Sequence, residues 1–340
     1  MLNLLFDVDN LSNHSISIIN RNLMKYFKQS EGINIVNKKH SDIHIELRHT
    51  YPPNFRLSTA KILVFIIPWE FSKVPTEWIL NLKFLGSTPK HLIVPSHFTK
   101  NIFINCGLNE SMIHVIPNGI DFSVFFPKPH LQPSTFKQFI FIGNNSPRKG
   151  LDCLLEAWKQ ADLQSSQLII KTTSFIYGHD PIYSSISNTY KNVKVIDKEL
   201  SENELSDLIA SSHIIVSPYR GESYGMCIAE AMACDVFPLV TKNGATDDYI
   251  VNEHCKIPSI KVKSNIFSLG AGKPGDSFSP MNSHNFHFEP ITSSLVSQLK
   301  FLDSSSNLPL FCSNNLLSWK DVSFKYILLF YIICHHVNIS

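Results

Sequence analysis

Two carboxylates, Glu222 and Glu230, lie eight positions apart in the stretch Ser217-Pro-Tyr-Arg-Gly-Glu-Ser-Tyr-Gly-Met-Cys-Ile-Ala-Glu-Ala-Met-Ala-Cys-Asp-Val-Phe-Pro238. The β-branched run His213 to Val216 leads into turn residues and then into a helix rich in small side chains. This puts Glu222 in the loop and Glu230 two turns into the helix. At 1.5 Å rise per residue the pair is separated by about 12 Å along the axis, comparable to the span between the polar ends of a nucleoside diphosphate sugar. The free N–H groups of the helix start lie between them, where a helix end attracts phosphate. Carboxylates for hydroxyls and N–H groups for phosphate together suit a charged, hydroxyl-rich ligand. The bland reading is a pair of solvated carboxylates, which helix starts also favour.

Lys149 supplies the cation such a ligand needs, since it follows a strand at Phe139–Ile142 and precedes a helix at Gly150–Gln160. On its own it reads as a surface lysine. His49 ends a strand candidate just before Tyr51-Pro-Pro53, at the sheet edge where α/β proteins hold ligands, though a structural histidine fits equally well. His14 and His97 carry less weight. Trp69 and Trp78 could stack on a sugar, but core packing is the better reading. Gly270-Ala-Gly-Lys-Pro274 resembles a phosphate loop only superficially, because the required first Gly falls on Phe267 and the required Ser or Thr on Pro274.

The seven cysteines are scattered and never form C-x-x-C, which fits a reducing compartment and argues against a zinc site. Cys227 and Cys234 read as small buried residues. His284, His287, His335 and His336 have no accompanying ligand set, so no metal is assigned. A net charge of +2 lacks the basic surplus of a nucleic-acid binder.

The elements that must position these groups are those of an α/β protein. Leu2–Phe6, Ile33–Val36, Asp42–Leu47, Lys61–Ile67, His91–Val94 and the start of Val115–Asp121 read as strands. Asn13–Phe27, Pro75–Phe84 and a helix from Ser96 to Asn105 alternate with them. Pro127–Pro133 holds three prolines in seven residues and reads as a linker. A second run follows: strands at Leu168–Lys171, Val193–Ile196 and Phe237–Val240, a helix at Ser201–Ala210 opening with a capping box, an irregular loop at Lys261–Asn285, and helices at Ile291–Leu302 and Leu317–Ile333. Such alternation implies parallel sheets with helices on both faces. The expected domains are residues 1–130, residues 131–320 and a closing helical segment, 321–340, that returns to the first domain; a cleft between two such domains is a usual place for small ligands. Met1–Val8 is too short for a secretory signal and contains Asp7. Tyr326–Cys334 is apolar over nine residues, too short to span a bilayer and suited to burial or to contact with a membrane surface.

Four segments resemble retaining glycosyltransferases of the GT-B fold, family 4 type (glycosyl transferases group 1). They are Val94-Pro-Ser-His-Phe-Thr-Lys100 through Gly107 to Val115–Asp121; Phe141-Ile-Gly143 with Lys149-Gly-Leu-Asp-Cys-Leu-Leu-Glu-Ala157; Ser217–Pro238, similar to the E-x7-E signature; and Pro68-Trp-Glu70 with Val74-Pro-Thr-Glu-Trp78. The resemblance implies two Rossmann-like domains facing across a cleft. It implies that Glu230 holds the donor ribose, Glu222 the hydroxyls of the transferred sugar, and Ser223, Tyr224 and Gly225 the donor through their backbones. Gly143 and Asn144 would line the donor site, and Lys149, aided by Arg148, would neutralise the leaving diphosphate. His49 would contact the sugar from the acceptor side. It further implies a nucleotide-sugar co-substrate, no metal or other cofactor, a glycan, lipid-linked or other acceptor, and a cytoplasmic enzyme with peripheral membrane contact. Asn144 departs from the family's usual Arg, Asp235 from its usual Gly, and Asp9–His14 replaces its Gly-rich loop. These departures leave two alternatives: a nucleotide-sugar-binding protein without transfer activity, and a sugar-nucleotide epimerase or hydrolase of the same fold.

Overall fold

The computed structural model describes all residues except 9–14, 134, 174–181, 265–285, 310, 312 and 340. His14, the Gly270–Pro274 stretch and His284 therefore lie outside the described residues. The chain forms two compact units. The first comprises Met1–Gly119 and Leu317–Ser340; the second comprises Ile120–Ser277 and Asn282–Leu316.

In the first unit, β1 (Leu2–Val8), α1 (Ser15–Gln29), β2 (Ile33–Val36), β3 (Ile45–His49), β4 (Ile62–Ile66), α2 (Thr76–Phe84), β5 (Lys90–Val94), α3 (His97–Asn105) and β6 (Ile113–Val115) follow in order. The strands make one parallel sheet, β2-β1-β3-β4-β5-β6. Every residue of β4 is buried, as expected of a strand covered on both faces. Ser96 caps α3 by accepting from Thr99 N–H. Trp69 and Trp78 are buried and pack edge to face at 4.9 Å, so both belong to the core.

The second unit runs β7 (Lys137–Ile142), α4 (Leu151–Ala161), β8 (Ser166–Thr172), α5 (Ile182–Thr189), β9 (Val193–Asp197), α6 (Glu202–Ala210), β10 (Ile214–Ser217), α7 (Met226–Ala233), β11 (Phe237–Thr241), β12 (Lys256–Ile257), β13 (Ser259–Lys263), β14 (Phe286–Pro290) and α8 (Thr292–Ser304). Its parallel sheet has the order β12-β11-β10-β7-β8-β9. Strand order reverses between β7 and β10, and ligands of open α/β sheets bind outside the carboxyl ends of strands at such a point. Ser201 and Glu204 make both bonds of the capping box of α6. Asp235 takes the left-handed turn after α7 at φ 61°, which Asp tolerates better than most residues.

The chain closes with α9 (Trp319–His336), part of the first unit. Phe27 of α1 packs against its Tyr326 and Phe330 at 6.0 and 5.9 Å.

The structure departs from the sequence pattern in five places. Residues 127–133 do not separate the units. The second unit begins at Ile120, because Ile120 and Phe125 are buried in its core and Lys128 and Gln132 bond to Asp207 and Ser212. The sheet pairing of β3 starts at Ile45 rather than Asp42, whose carboxylate pairs outward with Lys61. β6 ends at Val115, ahead of Pro117, which has no N–H to give a ladder. The expected loop at 261–285 is partly strand: Lys261–Lys263 lie in β13, which pairs antiparallel with β14. Finally, α7 starts only at Met226, so Glu222 stands outside the helix and the helical rise does not set its distance from Glu230.

Candidate active site in the second unit

Two loops leave the carboxyl ends of β7 and β10 at the reversal point. The first, Gly143–Gly150, folds through an Asx turn in which Asn144 Oδ1 accepts from Ser146 N–H and Oγ at 3.3 and 2.7 Å. A short turn, Pro147–Lys149, then leads to Gly150 at φ 73°. A Cβ at Gly150 would lie 1.9 Å from the Pro218 carbonyl oxygen, so only glycine lets the loops touch here.

The second loop, Pro218–Gly225, is laced to the first. Arg220 N–H donates to the Arg148 carbonyl at 2.8 Å, and Arg148 Nη1 donates to the Gly221 carbonyl at 2.9 Å. Gly225, at φ 88°, precedes the first helical residue of α7. Tyr249 Oη donates to the carbonyls of Tyr224 and Gly225 at 2.8 and 3.2 Å, fixing the loop's end.

Lys149 Nζ donates to Glu222 Oε2 at 2.6 Å, with Arg148 Nη1 at 3.6 Å from the same oxygen. Glu222 is 8% exposed. Burial pushes its carboxyl up, but Lys149 and Arg148 more than offset this, together with the Ser223 N–H bond, and hold it at about 2. Glu230 meets the opposite fate. It is equally buried, lacks a cation, and burial with the nearby charge of Glu202 raises it to about 7 against a hydrogen bond from Cys227. One carboxylate is thus fixed as an anion while the other stands half protonated near neutrality. Burial pushes the Cys227 thiol up to about 12, and the charges of Glu230, Lys149, Glu222 and Lys171 all reach it. The four charged groups therefore share one electrostatic neighbourhood.

Of the residues singled out in the sequence, Gly143, Asn144, Arg148, Lys149, Glu222, Ser223, Tyr224, Gly225 and Glu230 all belong to the second unit and lie on these two loops and α7. His49 belongs to the first unit. It is 0% exposed, its Nδ1 faces Asn20 Oδ1 at 2.5 Å, and burial lowers it to about 3, which leaves it neutral.

Two supporting residues escaped the sequence reading. Arg220 donates to Glu289 at 2.6 and 2.7 Å, to Asp152 at 2.7 and 2.8 Å and to the Pro147 carbonyl at 2.7 Å. It ties β14 and the first turn of α4 to both loops. Its partners are 68 to 73 residues away in the chain, so no local pattern reveals them. Lys171, 5% exposed on β8, donates to the carbonyls of Thr172 and Lys198 and to Thr173 Oγ1. A lysine interrupting the apolar run Leu168-Ile-Ile-Lys171 was the one available signal. Among the described residues no group of three or more His, Cys, Asp or Glu side chains is placed to hold a metal ion.

Residues 136–263 match the family model described as glycosyl transferases group 1. The phosphatidylinositol N-acetylglucosaminyltransferase gpi3 subunit of Schizosaccharomyces pombe is 24% identical over 175 residues, which make up 50% of this chain and 38% of that protein. A phosphatidylinositol N-acetylglucosaminyltransferase of Homo sapiens is 24% identical over 230 residues, 64% of this chain and 45% of that protein. The matches thus span less than half the length of these curated relatives. Among solved structures, sucrose-phosphate synthase from Thermosynechococcus elongatus superposes with a TM-score of 0.67 at 11% identity, covering 99% of this chain and 100% of that one. Anabaena HepE in complex with UDP and glucose gives a TM-score of 0.60 at 12% identity, with the same coverage. The chain has two parallel-sheet Rossmann-like units, the fold of GT-B glycosyltransferases.

Proposed function

We propose that this chain is a GT-B glycosyltransferase that takes a sugar from a nucleoside diphosphate donor and transfers it with retention of anomeric configuration. The observation that carries this reading is the Lys149–Glu222 pair at 2.6 Å, formed where the loops after β7 and β10 converge. Donor diphosphate entering there meets Lys149 and Arg148. As the bond from the anomeric carbon to the diphosphate breaks, these cations stabilise the charge that develops on the leaving group. The acceptor hydroxyl oxygen forms the new bond to that carbon.

Glu222, freed from Lys149 by the incoming phosphate, accepts hydrogen bonds from hydroxyls of the transferred sugar. Glu230 accepts from the donor ribose, and the backbone of Ser223–Gly225 borders the diphosphate. Fixed cations make a metal ion unnecessary in this scheme. The acceptor we propose is a lipid-linked saccharide or lipid headgroup, in keeping with the two relatives named phosphatidylinositol N-acetylglucosaminyltransferases.

A panel of UDP- and GDP-sugars tested for binding by calorimetry, and for nucleoside diphosphate release with and without lipid acceptors, tests the proposal. Donor binding together with acceptor-dependent release is the expected result. If no nucleotide sugar binds, the proposal fails.

One observation favours a second reading, a donor-binding protein without turnover. Asn144 spends its side chain on the Asx turn, where the resembled family usually has a cationic arginine. Binding without release for every donor and acceptor is the outcome that selects it.

A further inference from the structure

The outward face of α9 carries large apolar side chains at helical spacing. Phe324, Leu328, Tyr331 and Ile332 are 65, 50, 43 and 45% exposed and fall at i, i+4, i+7 and i+8, one stripe of the helix. The opposite face, with Val322, Tyr326, Phe330 and Ile333, is buried, so the stripe is not needed to hold α9 in place. An apolar patch of this kind on a polar surface marks an interaction site.

Its surroundings are cationic. Lys320 and Lys325 are exposed on the same helix. The adjoining α1, fastened through Phe27 and by the Tyr331 Oη bond to the Gly32 carbonyl at 2.9 Å, contains no acidic residue and exposes Arg21, Lys25 and Lys28. The acids next to these two helices in the chain are Glu31 and Asp321, and Asp321 is engaged in capping α9. The wider distribution agrees: the first unit holds fourteen Lys and Arg against nine Asp and Glu, while the second holds sixteen against nineteen. The positive surplus of the protein belongs to the unit that carries the stripe.

We propose that this face docks on an anionic lipid bilayer, with Phe324, Leu328, Tyr331 and Ile332 entering the boundary between headgroups and acyl chains. The lysines reach anionic headgroups from their flexible stems. A second copy of the chain is a poorer occupant, because a two-fold contact would set this basic face against itself. No helix among the described residues is long and apolar enough to cross a membrane, so the contact is superficial and reversible. This inference does not depend on the donor chemistry.

Flotation of the full chain with vesicles of phosphatidylcholine, alone or with about 30% phosphatidylserine, tests it. The expected result is flotation with the anionic vesicles only, reduced at least tenfold at roughly 0.5 M salt, where charges are screened beyond a few ångströms. Phe324→Ser/Leu328→Ser and, separately, Lys320→Glu/Lys325→Glu should each lower vesicle binding at least tenfold, with the thermal transition showing that both variants fold. Equal binding to neutral vesicles, or wild-type binding by both variants, overturns the proposal. So does a concentration-dependent dimer that Phe324→Ser/Leu328→Ser dissociates, or a requirement for an acidic protein in place of the vesicles.

Discussion

Lys149 and Glu222, 73 residues apart in the chain, are joined at 2.6 Å by loops that leave neighbouring strands on either side of the point where strand order reverses. The pair holds one carboxylate ionised in a buried place and keeps a cation ready for an anionic ligand. Donor phosphate and Glu222 compete for the same ammonium group, so binding must exchange one ion pair for another.

Lys149→Met should remove the main charge that holds Glu222 ionised and leave a buried carboxylate short of its partner. A stability loss of about 3 kcal/mol is expected, with turnover down on the order of 100-fold from lost leaving-group stabilisation. Denaturant titration and nucleoside diphosphate release measure the two effects. The double variant Lys149→Met/Glu222→Gln should recover most of the stability and none of the turnover.

Glu230 predicts a pH dependence of donor binding. Its folded-state pKa near 7 lies above the ordinary glutamate value of 4.5, and ribose hydroxyls bond best to the ionised form. Donor affinity should therefore rise as pH increases through about 7 and level off above it, and Glu230→Gln should flatten the profile. The same raised pKa makes the group's contribution to stability fully present below about 4.5 and lost as pH rises through 7. Glu230→Gln should accordingly stabilise the protein by about 3 kcal/mol at pH 8, measured by denaturant unfolding, while weakening donor binding.

Acid should act through Glu222 and Glu289. Both are held at about 2, against an ordinary value of 4.5: in each, burial opposes ionisation, and Lys149 and Arg148 (for Glu222) or His287 and Arg220 (for Glu289) more than offset it. Depressed carboxylates contribute stability above their unfolded pKa and lose it as pH falls through the folded one. Chemical denaturation between pH 5 and pH 2, read by circular dichroism, should show most of the loss below about 4.5. Glu289→Gln should make the fall shallower.

Arg220→Lys should separate clasp from charge. A lysine keeps the positive charge but cannot bridge Asp152 and Glu289 with paired bonds. Donor KM should rise on the order of tenfold with kcat changed less, because the loops still carry Lys149 and Glu222 but hold them less firmly. Steady-state kinetics at saturating acceptor provides the measurement. An unchanged KM would show that the loops keep their place without Arg220.

Much of the molecule was legible in the sequence where the physics is local. The capping box at Ser201 and Glu204, the cap at Ser96 and the apolar runs of β4 and β10 follow from hydrogen bonds and burial within a few residues. The loop and helix bearing Glu222 and Glu230, and the strand, turn and helix bearing Lys149, were recognisable in the same way. The β13–β14 hairpin was not, because its pairing joins residues more than twenty positions apart and neither strand has a strong apolar alternation. The attachment of residues 127–133 to the second unit was also hidden, since it depends on Phe125 and Lys128 finding partners elsewhere in that unit.

The sequence by itself determined which groups were available: two carboxylates, a lysine beside an arginine, and glycines where loops must turn. Their types and spacing are properties of the chain. Only the tertiary structure decided what each group became. Glu222 is an anion at about 2 because a strand 73 residues upstream delivers Lys149 to it, and Glu230 titrates near 7 because nothing cationic reaches its equally buried carboxyl. Desolvation and Coulomb attraction depend on distance and burial in space, and the chain's order fixes neither until the sheet brings β7 and β10 side by side.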